Sequence, residues 1–134
     1  MKTLMTLGML VAAVAASAGA ADAGSPACEH KLLPGDRNEF TCAVPATSKA
    51  QRMRFVAKLS GSHDDSSSTL ALAWGGAPLP CEDGSKVESD GEYGDVVMEC
   101  RFTLPATNGA QPKPLLASLK ATHVFVTSHA LTAD

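Results

Sequence analysis

The chain has 134 residues, with 11 Lys and Arg against 14 Asp and Glu and a formal net charge of −3. That mildly acidic balance excludes general nucleic-acid binding, which draws on a basic surface to release counterions. Beyond residue 20 no apolar run approaches the roughly 20 residues of a membrane helix, so the mature chain is expected to carry no membrane span.

In chain order, Lys2 gives a short positive start and Leu4 to Ala16 is an apolar run of signal-peptide length. Ala18-Gly19-Ala20 then supplies the small-x-small pattern that a signal peptidase reads. Residues 1–20 therefore read as a cleaved signal peptide and 21–27, with Gly24 and Pro26, as a flexible lead. The remaining segment, 28–134, has the length of a single domain. Export to the periplasm or the medium puts that domain where thiols become disulfides. Cys28 lies too far past the apolar run, and too close to Pro26, to read as a lipidation site.

Cys28–Leu33 and Asn38–Val44 flank Pro34-Gly35-Asp36, a turn signal, and form the first expected hairpin. Gln51 to Ser60 alternates, with Met53, Phe55, Ala57 and Leu59 on one face and Arg52, Arg54 and Lys58 on the other. Period two with one apolar face means a half-buried strand. Ser60 to Ser68 is a polar loop. Thr69 to Trp74 alternates again through Leu70, Leu72 and Trp74, until Gly75-Gly76, Pro78 and Pro80 end it. Val96 to Leu104 puts Val96, Met98, Cys100, Phe102 and Leu104 together. Leu115 to Ser128 is the last extended stretch, and its alternation slips at Thr122-His123, as a bulge or a doubly buried strand would require.

Four cysteines allow three pairings. Folding at Gly35 sets Cys28 opposite Cys42, and folding at Asp90-Gly91 sets Cys81 opposite Cys100, so these two bridges are expected. Phe55, Trp74, Phe102 and Phe125 are the expected aromatic anchors of the core. Short alternating strands between Gly, Pro, Ser and Asp clusters predict an all-β fold, a small antiparallel sandwich or barrel of six or seven strands.

Candidate sites are few. Arg52, Arg54 and Lys58, with Lys49 beyond, form a basic row that suits phosphate or sulfate groups of a glycan or lipid, although solvated strand faces often carry such rows. Trp74 opens a compact apolar turn running to Pro80, suited to gripping a protein, or else packs in the core before a tight turn locked by Cys81. Glu82, Asp83, Glu88, Asp90, Glu92 and Asp95 crowd together without the spacing of a calcium loop, and read as a soluble hairpin tip. His30, His63, His123 and His129 show no metal-ligand spacing. No metal and no cofactor is therefore expected. Ser66 to Ser68 lack a nucleophile elbow, and the even cysteine count argues against a free thiol, so no catalysis is expected.

These residues predict an exported, non-catalytic, monomeric binding domain. Its expected partner is an anionic envelope or host glycan or lipid, or a protein surface. The alternative is a protein inhibitor or immunity-type factor that blocks an enzyme cleft with the segment Trp74–Asp83.

Overall fold

The computed structural model describes residues 27–44, 47–61, 67–90, 94–107 and 113–134. The signal peptide, most of the lead, the Ser60–Ser68 loop interior and the Asp90-Gly91 tip beyond Asp90 lie outside them. Among the described residues nine strands follow in order: β1 (Cys28–Leu33), β2 (Arg37–Ala43), β3 (Gln51–Gly61), β4 (Ser67–Trp74), β5 (Ala77–Leu79), β6 (Glu88–Asp90), β7 (Gly94–Leu104), β8 (Pro114–Ala121) and β9 (Val124–Ala133). They form two antiparallel sheets packed as a sandwich. The larger has the order β1-β2-β8-β4-β5, with β6 also paired to β4; the smaller is β7-β3-β9. The count exceeds the expected six or seven because β5 and β6 are three-residue strands and the last stretch is two strands.

The alternation seen in sequence is the alternation buried. Met53, Phe55, Ala57 and Leu59 of β3 face Val96, Met98, Cys100, Phe102 and Leu104 of β7 along the ladder, and all nine are buried. From the larger sheet, Phe40, Cys42, Leu70, Leu72, Leu115, Ala117, Leu119 and Ala121 close the core. Burying a side chain such as Phe55 contributes about 2–3 kcal/mol.

Both expected disulfides are present. Cys28 and Cys42 are direct cross-strand partners, Cα atoms 4.1 Å apart. This bridge takes up the cysteine weighed as a lipidation site. Cys81 joins Cys100 from a segment that is not itself a strand. The pair points to an oxidising, extracytoplasmic environment.

Two expectations need correction. Phe125 is 76% exposed and anchors nothing, whereas Phe40, passed over in the sequence, is fully buried against Phe55 with ring centroids 5.2 Å apart. The slip at Thr122-His123 is neither a bulge nor a doubly buried strand. It is a two-residue turn that carries the chain from β8 in the larger sheet to β9 in the smaller. His123 takes a left-handed φ of 62° there. Gly61 makes room for the crossing, since a Cβ on it would run into Val124 Cγ1 and lie 2.9 Å from the His123 carbonyl oxygen.

Candidate functional site

Arg52, Arg54 and Lys58 do share the outer face of β3, the central strand of the smaller sheet. Carboxylates have gathered on the two arginines. Arg52 Nη2 donates to Glu82 Oε2 at 2.6 Å and lies 3.5 Å from Asp134 Oδ2. Glu99 holds Arg54 at 3.6 Å and Arg101 at 3.1 Å. Glu82 also accepts from Thr103 Oγ1 at 3.1 Å. Lys58 is exposed, between Val97 and Ser128, and Lys49 is exposed before β3. The row is thus an ion-paired surface, each pair being worth little in solvent.

Trp74 sits half-buried at the end of β4, packed against the core. Gly75 and Gly76, at φ 61° and 88°, form the two-residue turn that left-handed glycines favour, and β5 folds straight back so that Ala77 pairs with Trp74. Lys113 Nζ lies 4.8 Å from the centre of the Trp74 ring. Leu79 packs inward too. The rest of the segment to Asp83 is fastened to β7 by the Cys81 bridge and by Glu82 N–H donating to the Arg101 carbonyl at 2.7 Å.

Of the acidic residues, Glu82 is committed to Arg52, while Asp83, Glu88, Asp90 and Asp95 are exposed and Glu92 lies outside the described residues. Among the described residues no three His, Cys, Asp or Glu side chains converge as a metal site needs. His63 and Ser66 fall outside the described residues, and Ser68 is buried in β4.

The structure brings together a set that the sequence reading kept apart. On β1 the residues facing the smaller sheet are Cys28, His30 and Leu32, because they pair with the buried Cys42, Phe40 and Asn38 of β2. The smaller sheet is too narrow to reach them fully, and Leu32 stays 72% exposed. His30 lies flat on Phe40, centroids 4.5 Å apart and planes 16° apart, with Nε2 donating to Asn38 Oδ1 at 2.8 Å. His129 of β9 meets the same Phe40 at 4.7 Å and the His30 ring at 5.6 Å.

Above this aromatic group an open seam of about 460 Å³ runs between β1 and the start of β9. Its walls are Leu32, His30 and Asn38 on one side and Val124, Phe125 and Val126 on the other. Asp36 and His123 close one end. These two are the chain's left-handed residues other than glycine among those described, at φ 59° and 62°. Such conformations outside glycine cost energy and concentrate at working parts of proteins. The Asp36 carbonyl accepts from Ala121 N–H at 2.9 Å, which ties the β1–β2 turn to the end of β8 and holds the seam's mouth in place. A broader depression of about 690 Å³ lies at the far end of β1, its walls small and apolar apart from Glu29, Thr41 and Lys113.

Comparison of the chain with protein-family models, with curated proteins and with solved structures returns no match. The site's chemistry therefore rests on its own geometry.

Sequence reasoning passed over Leu32 and Asp36 as site residues, placed Phe125 in the core, and considered His30 and His123 only as metal ligands. One signal was available. Val124-Phe125-Val126 offers two phases, and the phase that turns both valines toward the core turns the phenylalanine out.

Proposed function

We propose that this protein is an exported, non-catalytic binding domain, periplasmic or secreted, that grips a protein partner at the seam between β1 and β9. One observation carries the reading: Leu32 stands 72% exposed on one wall of a cleft whose other wall is Val124 and Val126, and Phe125, turned outward between those valines, stands 76% exposed at its rim. Exposed apolar side chains rimmed by a few polar groups mark protein contact sites and binding grooves. Here the polar groups are His30, Asn38, Asp36 and His123.

The glycan or lipid reading drew on Arg52 and Arg54, and both now have carboxylate partners. The inhibitor reading drew on Trp74, which packs inward. The seam is lined by neither set of residues and stays open.

Selection from a random peptide library displayed on phage, against the oxidised domain, tests the proposal. Peptides are expected that bind the wild-type domain and lose about tenfold or more in affinity to a Leu32→Ser/Phe125→Ser variant. Both positions are solvent-facing, so the variant should fold. Selected peptides that bind both proteins alike, or no enrichment at all, would sink the reading.

A further inference from the structure

The sheet edges narrow the ligand further, given the seam as the binding site. The two sheets differ in width. β7 packs against β4 and β6, and β9 packs against β8 and, through His129, against Phe40 of β2. β1 is the next strand outward in the larger sheet, and it meets the smaller sheet at His30, whose ring lies 5.6 Å from that of His129 on β9. The missing position is one strand wide, about 4.8 Å along the sheet.

The edges also differ in how they are defended. Native proteins blunt edge strands with charge, proline, shortness or a covering segment. The outer edge of β7 is covered: Glu99 N–H donates to the Lys86 carbonyl at 2.9 Å, Glu82 N–H to the Arg101 carbonyl, and Arg101 N–H to Ser85 Oγ at 2.8 Å. β5 and β6 have three residues each, and β5 contains Pro78. β1 carries Glu29 and Lys31. β9 is ten residues long and has no Lys, Arg, Asp, Glu or Pro; its one irregularity is a register shift against β3 at Thr127. Its strand-forming half, Val124 to Thr127, is β-branched or aromatic throughout. All its ladder partners belong to β3, and among the described residues its other edge makes no backbone hydrogen bond to a strand.

We propose that this edge of β9 takes up one extended segment of another polypeptide as a fourth strand of the smaller sheet. The segment's backbone pairs with β9, and every second side chain enters the seam over His30 and Leu32. Those inward side chains are apolar, to match Leu32, Val124 and Val126. At the Val124 end the segment carries a basic residue, to match Asp36, which lines the seam there.

A second copy of this chain does not fit. Pairing β9 with its equivalent about a two-fold axis would put the neighbour's β9 opposite β1. The neighbour's own β2 already lies opposite that strand, so β1 and that β2 would claim one position. A single strand from a partner meets no such conflict.

The probe is a ten-residue peptide from the selection above, chosen for losing affinity to Leu32→Ser/Phe125→Ser. It is resynthesised with one N-methyl group at each position in turn. Pairing along one edge uses alternate peptide N–H groups. Methylation is therefore expected to weaken binding about tenfold at every second position and little between. Bound peptide should also protect β9 amides from exchange. Losses without a period of two, with the dependence on Leu32 and Phe125 intact, overturn strand addition and leave the seam standing. Absence of any peptide that depends on those two residues overturns both. A free protein that sediments as a dimer, and as a monomer once Phe125→Ser is introduced, would replace the single strand by a second copy.

Discussion

Arg54 and Arg101 stand directly opposite each other on neighbouring strands, and Glu99 lies 3.6 Å from one and 3.1 Å from the other. Like charges facing across a ladder repel, so the shared carboxylate is what makes this register tolerable. With Glu82 on Arg52, the outer face of the smaller sheet is a network of opposite charges and offers little net field to an anion.

On a sulfated-glycan column at about 0.15 M salt, where surface charges are screened beyond ~8 Å, the oxidised domain is expected in the flow-through. A Glu82→Gln/Glu99→Gln variant, with both guanidiniums released, should be retained. Wild-type retention that disappears in Arg52→Ala/Arg54→Ala would restore the anionic ligand and count against the seam.

His30→Ala should cost about 1–3 kcal/mol in urea unfolding. The substitution removes the stack on Phe40 and strands Asn38 Oδ1, whose residue is only 7% exposed, without its donor. His30→Gln, which keeps a donor, should recover part of the loss. Equal stability of His30→Ala and wild type would mean the imidazole does not hold the seam's floor.

Trp74 separates packing from polar contact. Its Nε1 is buried with no hydrogen-bond partner among the described residues. Trp74→Phe keeps most of the apolar volume and removes that orphan donor, so its stability should stay within about 1 kcal/mol of wild type. Trp74→Ala should lose about 2–3 kcal/mol, less than a fully buried aromatic, because the residue is half-buried. Binding of seam-selected peptides should survive Trp74→Phe.

The two disulfides close loops of similar length, and each contributes about 3 kcal/mol in the chain-entropy picture. Their local effects should differ. Cys81→Ala/Cys100→Ala frees the segment that covers β7, so exchange at the Glu99 and Arg101 amides should rise sharply. Cys28→Ala/Cys42→Ala should leave those amides protected. Equal protection in both variants would show that Cys81 does not anchor the cover.

What was legible in the sequence were the strands with one buried face. β3, β4 and β7 alternate through four, three and five apolar positions, and each lies where the alternation put it. Turn chemistry at Gly35 and a midpoint at Asp90-Gly91 gave the disulfide pairing, although Cys81 proved to sit in a loop. Strands of three residues, β5 and β6, are too short for periodicity to show. Phe125 was misplaced because Val124-Phe125-Val126 is apolar in both phases, and the phase is set by the sheet change at Thr122-His123. The partners of Arg52 and Arg54 come from Glu82, Glu99 and Asp134, distant in sequence, which no local pattern reveals. The seam belongs to the same class: it exists because one sheet is wider than the other, a property of topology rather than of any one strand.

Backbone amide exchange of the free, oxidised domain tests the open edge most directly. Edge strands expose alternate peptide groups to solvent, and exchange reports that exposure residue by residue. The amides of β9 that point away from β3 should exchange far faster than those of β3 itself, while Glu99 and Arg101 on the covered edge of β7 stay protected. Uniformly slow exchange across β9 would mean that its edge is already occupied, and would contradict both the seam as a binding site and the added strand.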